Sequence, residues 1–536
     1  WKTDGTADGT IRLTDSGSVF GRAFGLTNVN GTLFFVANHS TGYELWKSDG
    51  TASGTKMVAD INPNGSAFSS DPSICHNHLC NINGILYFQA NDGITGYELW
   101  KSDGTPAGTT RISDILPGNG SSSPNYLTNL SGKLFFTAVT NGYDRELWIT
   151  DGSVSGTQRV ADIRPGGGAS FPSHLTNVNG KLFFSANDGT TGCELWKSDG
   201  TVSGTVRVHD ICPGDSGSFP RYLTNVNGKL FFLANDGVTG YELWKSEGSI
   251  SNTIRVADIF PGINDSTINN LVNVNSIIYF CASDGIHPSE LWRSDGSATG
   301  TMLVADIFPG VEPSNPRNLV NVNGTLFFRA NDGVTGHELW KSNGSGSGTV
   351  CVSDIARANQ GSSPYGLASV NGKLYFVADD RNSGYEKDLK IWTSDGTLAG
   401  TSKLTDRCSE LTTYRPPEFT DVNGVVYFTA FDPGAGIELW KTNGTDSGTS
   451  LVADIFPNGF SYPRNLTNVN GTLFFSARDK ANNFELWRSD GTSKGTYSIE
   501  INKIGDYGSY PSEFVNANGV LIFKASDGIA GEQLWR

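Results

Sequence analysis

Every tryptophan of this chain falls on one repeat. They stand at Trp1, Trp46, Trp100, Trp148, Trp196, Trp244, Trp292, Trp340, Trp392, Trp440, Trp487 and Trp535, spaced 45, 54, 48, 48, 48, 48, 48, 52, 48, 47 and 48 residues apart. A near-constant period of this size marks stacked supersecondary units, none of which can bury its apolar face alone. The whole chain, 1–536, therefore reads as a single repeat domain of eleven repeats, beginning at every tryptophan from Trp1 to Trp487.

One repeat predicts the local structure of all. Around residues 222–258, Tyr222–Val226 reads as a strand and Asn227-Gly228 as a two-residue hairpin turn, because both central residues of such a turn need positive φ. Lys229–Ala234, Tyr241–Ser246 and Ile254–Ile259 follow as three more strands separated by Gly-, Asn- and Ser-rich turns. No helical period of 3.6 competes. Four strands in a unit of about 48 residues predict an all-β fold: a propeller of eleven antiparallel blades, closed by pairing of N- and C-terminal strands. Two smaller propellers or an open array are the alternatives. Trp1 and Trp535 duplicate one repeat position, which fits an overlap at closure and equally an excerpt of a longer array.

The chain holds 54 acidic against 39 basic residues, a net charge of −15, and no basic stripe, which argues against nucleic acid or an anionic membrane as partner. No stretch is apolar enough to cross a membrane as a helix. Much of the acidity occupies fixed places in the repeat. Seven cysteines fall outside the period. Cys193 and Cys212 flank one turn almost symmetrically and are expected to form a cross-strand disulfide; Cys75 and Cys80 are a second candidate pair, and Cys281, Cys351 and Cys408 have no assignable partner. Among the Asn-x-Ser/Thr sequons, Asn30, Asn64, Asn119, Asn323, Asn343, Asn443 and Asn470 are glycosylation candidates.

Four repeated positions carry the chemistry. The tryptophans read as blade-to-blade packing, with the indole N–H given a hydrogen-bond partner. The acid before Gly-Thr (Asp49, Asp103, Asp199 and equivalents, with Asn343 and Asn443 as substitutes) reads as a turn cap. The acid ending the fourth strand is the candidate for a repeated Ca²⁺ site, at Asp60, Asp114, Asp162, Asp210, Asp258 and Asp306, together with the Asn-Asp-Gly turn. The glutamate before Leu-Trp is expected to pair with the following Lys or Arg, or to face solvent. Catalytic residues are expected to be none: the seven histidines are scattered, and neither a phosphate loop nor an HExxH helix occurs. No cofactor is expected apart from that calcium. An enzymatic site would have to use irregular segments such as Arg381–Asp388.

Segments such as Glu98–Thr105 and Glu194–Thr201 resemble the ELWxxDGTxxGT repeat family over the full length of the chain, with departures at Lys390-Ile391, Gln533 and Glu247-Gly-Ser249. The resemblance implies a repeat scaffold that is secreted or displayed at a cell surface, and it brings no catalytic residue. The expectation is a non-enzymatic extracellular protein for adhesion or structural assembly, meeting other copies of itself or other extracellular proteins. A glycan-binding propeller with repeated sites is the alternative.

Overall fold

A computed structural model describes residues 3, 23–51, 53–70, 79–356, 360–380, 388–406, 417–479, 483–502, 508–517, 519–526 and 532–535. Among them the chain is all-β, with two single-turn 3-10 segments and no α-helix. It forms eleven antiparallel sheets, each a meander in sequence order, ten of four strands and the last of three. Blade four is typical: Ser173–Val178, Lys181–Asn187, Cys193–Ser198 and Val206–His209. First strands of successive blades lie side by side, so they form the inner wall of the ring.

Apolar side chains alternate along each strand, and each sheet buries both faces against its neighbours. One hydrophobic cluster therefore lies between every pair of successive blades. Val178, Phe183 and Leu195 of blade four meet Leu230, Phe232 and Trp244 of blade five; Val226, Phe231 and Leu243 then meet Ile278, Phe280 and Trp292 of blade six. The last cluster joins Ile522 of blade eleven to Leu33, Phe35 and Trp46 of blade one. The array thus returns on itself through side-chain packing. Pairing between terminal strands concerns residues before Ala23, outside the described part.

The tryptophans do pack between blades, but the expected indole partner is missing at eight of them. Trp487 Nε1 donates to the Ala477 carbonyl at 3.1 Å. Nε1 of Trp100, Trp148, Trp196, Trp244, Trp292, Trp340, Trp392 and Trp440 has no hydrogen bond. Burial of the ring sets its orientation here, and the N–H is left at a cost.

The Asn-Gly hairpins do more than turn. Asn227 sits at φ 50° and Gly228 at φ 81°. The Gly228 N–H also donates to Asn225 Oδ1, and the Asn225 amide crosses to the Asn177 carbonyl of the preceding blade. Asn179, Asn323 and Asn470 reach the next blade's hairpin in the same way, at Gly228, Gly372 and Gly519. Two of the sequon asparagines, Asn323 and Asn470, are therefore part of this ladder, whereas Asn64 and Asn119 lie exposed on links.

The expected Cys193–Cys212 disulfide needs correction. Strands three and four of blade four separate after Leu195↔His209, where a bulge shifts the register, so Cys212 lies in the link and not opposite Cys193. Cys193 Sγ lies 2.9 Å from Ser185 Oγ, while Cys212 is buried and unbridged. Cys80, Cys281 and Cys351 are also free; Cys75 and Cys408 lie outside the described residues.

Candidate functional site

The glutamate before Leu-Trp neither faces solvent nor pairs with a cation. Glu44, Glu98, Glu146, Glu194, Glu242, Glu290, Glu338 and Glu438 are completely buried. Each holds the link that leads to the next blade. Glu194 accepts from the Ile211, Cys212 and Ser218 amides and from Ser218 Oγ at 2.6 Å. Burial pushes the carboxyls of Glu44, Glu146, Glu194, Glu242, Glu338, Glu438 and Glu485 up to about 7, against the opposing pull of these donors. The sequence signal is a serine 24 residues after the glutamate, as in Glu194 and Ser218.

Five of the six calcium candidates do meet the preceding turn acid, but a basic side chain of the protein stands between them. The fourth strand is shorter than expected, so Asp258 lies beyond its end at Arg255. Arg255 reaches Asp236 at 3.2 Å and Asp258 at 3.6 Å. Arg111, Arg159 and Arg207 bridge Asp92–Asp114, Asp144–Asp162 and Asp188–Asp210 likewise. In blade six the imidazole of His287, from the turn itself, takes that place between Asp284 (2.7 Å) and Asp306 (3.8 Å). Asp144, Glu146 and Asp162 form one group with metal-ligand spacing, already occupied by Arg159. Asp60 is exposed and has no such partner arrangement in its own turn, where His39 and Ser40 replace the acid. The turn acids before Gly-Thr cap as expected: Asp199 Oδ1 accepts from the Thr201 amide and hydroxyl, and Asn443 does the same for Thr445.

What the repeat pattern conceals is the inner rim. At the second residue of the first strand the backbone turns left-handed in a bulge. Tyr126, His174, Tyr222, Asn270, Asn318, Asn465 and Glu513 all lie between φ 54° and 57°, while blades one and eight use Gly25 and Gly366. A threonine two residues on often holds the bulge, as Thr224 Oγ1 does on the Tyr222 carbonyl at 2.9 Å. Links just before these strands add exposed aromatics at Phe171, Phe219 and Tyr510, themselves left-handed. Strand direction puts links, bulges and strand two–three turns at one end of the ring.

Beneath this rim, in blades one, five, seven and eight, three side chains face the next blade: the first residue of strand one, its cross-strand partner on strand two, and the residue before the buried glutamate. In blade one they are Phe24, Val36 and Tyr43, an apolar plug. Blade eight has Tyr365, Val377 and Leu389. Blade five has Arg221, Leu233 and Tyr241, with the guanidinium 3.8 Å from the centre of the Tyr241 ring. Blade seven has Arg317, Arg329 and His337.

No family model matches the chain, and no curated protein matches it. Solved structures do. A puromycin hydrolase is 13% identical over 71% of this chain and 61% of its own, with a TM-score of 0.29. A prolyl endopeptidase is 13% identical over 77% and 55%, TM-score 0.31. The β-propeller domain of the Trilobed protease from Pyrococcus furiosus is 10% identical over 63% and 96%, TM-score 0.25. The chain thus spans about three fifths of the puromycin hydrolase, and the likeness concerns the fold alone. It nevertheless corrects the expectation of a non-enzymatic adhesion or assembly scaffold, with its glycan-binding alternative. The neighbours bear the titles of peptidases.

Proposed function

We propose that this chain is a ligand-binding propeller that works through the inner rim at the link end of its ring. The observation that carries the reading is the left-handed residue of the first strand. A non-glycine residue in that conformation costs about 1 kcal/mol. Seven blades bear that cost with Tyr, His, Asn or Glu, side chains of unlike chemistry, while the framework around them repeats. Tyr222 is 59% exposed and Tyr126 48%, so core packing does not account for them. A fixed strained backbone presenting a variable exposed side chain suits recognition of an extended ligand laid across the rim. The resemblance to ELWxxDGTxxGT repeat proteins adds to the proposal a setting outside the cytoplasm.

The test is a thermal-shift screen of one peptide and metabolite library against the native protein and the variant Tyr126→Gly, His174→Gly, Tyr222→Gly. Glycine keeps the bulge, so the variant folds. Ligands that stabilise the native protein and not the variant support the reading. The same hits with both proteins, or none with either, contradict it.

A further inference from the structure

We propose that blade seven carries an oxyanion-binding site formed by Arg317, Arg329 and His337. Arg317 and Arg329 are direct cross-strand partners, so their side chains rise from the same face of the sheet. His337 follows on the third strand, diagonal to Arg329, two residues before its partner Leu339. Leu339 packs toward Leu374 and Phe376, so this face looks into the cleft between blades seven and eight.

Two like charges placed opposite each other across a pair of strands destabilise it. Here nothing among the described residues offsets them. Arg329 is only partly exposed; its Nε and His337 Nδ1 are buried without a hydrogen bond. Burial and the charge of Arg317 lower the Arg329 guanidinium from its ordinary value, with no carboxylate acting on it. Burial, then Arg329 and Arg317, hold His337 down to about 4. Orphaned buried donors and an uncompensated charge are each costly. The arginines that face the same cleft in blades five and three are partnered. Arg221 has the Tyr241 ring, and Arg145 donates to the Ser123 carbonyl and Thr137 Oγ1. An oxyanion entering from the rim beside Asn318 would meet two guanidinium forks, whose geometry suits phosphate and carboxylate oxygens. The proposal rests on the reading of this rim as the binding end, and it names the chemistry of one ligand group there.

The experiment compares melting of the native protein with Arg329→Val and Arg317→Asn, in inorganic phosphate or in acetate against chloride at equal ionic strength. Both variants use residues that equivalent positions already hold, at Val36 and Val377 and at Asn125 and Asn269. About 20 mM phosphate is expected to raise the native melting temperature by about 1–2 °C and leave both variants unmoved. A response to acetate and not to phosphate keeps the site and makes its ligand group a carboxylate. An equal response in all three proteins, or none to either anion, overturns the proposal. If phosphate has no effect while the triple-glycine variant still loses its library hits, this site fails and the rim reading stands.

Discussion

In blade five the guanidinium of Arg221 lies 3.8 Å over Tyr241, with Leu233 filling the space across the strand. In blade seven the same three positions hold Arg317, Arg329 and His337, and among the described residues the charges meet only each other. The sheets that carry them are otherwise alike. Both have the buried glutamate, Glu242 or Glu338, tied to the following link, and both have a left-handed residue at the rim, Tyr222 or Asn318. The difference teaches that this ring separates two layers. A framework of buried glutamates, asparagine ladders and inter-blade clusters repeats, and on it a pocket and a rim residue vary from blade to blade.

The comparison breaks first if the framework proves dispensable. Glu194→Ala orphans the Ile211 and Cys212 amides and the Ser218 hydroxyl at once and is expected to cost about 3–5 kcal/mol in urea unfolding. A loss under 1 kcal/mol would remove the glutamate from the framework.

Next comes pH. The glutamate carboxyls are raised from 4.5 to about 7, so the folded state binds more protons than the unfolded one in that interval. Their contribution is fully present below pH 4.5 and is lost as pH rises through about 7. The turn aspartates work the other way. Hydrogen bonds from Thr201 and Thr105 lower Asp199 and Asp103, so their contribution is present above pH 3.8 and lost on acidification. Unfolding free energy is therefore expected to peak near pH 4–5 and to be lower at pH 8. A maximum at pH 8 would contradict the burial argument.

Tyr241→Ala sharpens the comparison by stripping Arg221 of its ring. The cation–π contact and lost burial predict a cost of about 1–3 kcal/mol, with blade five made to resemble blade seven. An unchanged unfolding midpoint would mean that Tyr241 does not shield the charge.

The smallest effect lies outside the pocket, between the clasps of blades five and six. Arg255 holds the clasp of blade five, whereas in blade six His287 titrates, and its hydrogen bond to Asp284 followed by nearby carboxylates raises it from 6.5. The raised value means that the blade-six clasp is present below pH 6.5 and lost as pH rises through the raised one. The pair is partly exposed, so about 0.5 kcal/mol or less is at stake. NMR titration of His287 in the native protein and in Asp284→Asn should show the pKa falling in the variant. No change would dissolve the clasp.

How much of this was legible in the sequence differs between the two layers. Strands, hairpins and blade number follow from periodicity, because Asn-Gly needs positive φ and each sheet must bury two faces. The Glu194 cage escaped because its partners are 17 to 24 residues away, in a link with no regular structure. Alternation along the strand says only which face a residue takes, not that a loop will fold back over it. The Cys193–Cys212 pairing failed for a related reason: symmetry about a turn predicts opposition only while the strands stay paired, and here they part at the Leu195 bulge. The rim bulge leaves no composition signal at all, since Tyr, His, Asn and Glu share only a backbone conformation.

Blade seven allows both layers to be tested in one series, by urea unfolding of Arg329→Val and Glu338→Ala beside the native protein. Removing the unpaired guanidinium is predicted to stabilise the ring by about 1–2 kcal/mol. Removing Glu338, which accepts from the Ile355 and Ser362 amides and the Ser362 hydroxyl, is predicted to destabilise it by about 3–5 kcal/mol. Opposite signs would establish a fixed framework bearing a variable site. Equal losses from both substitutions would contradict it, because Arg329 would then be as structural as the glutamate beside it.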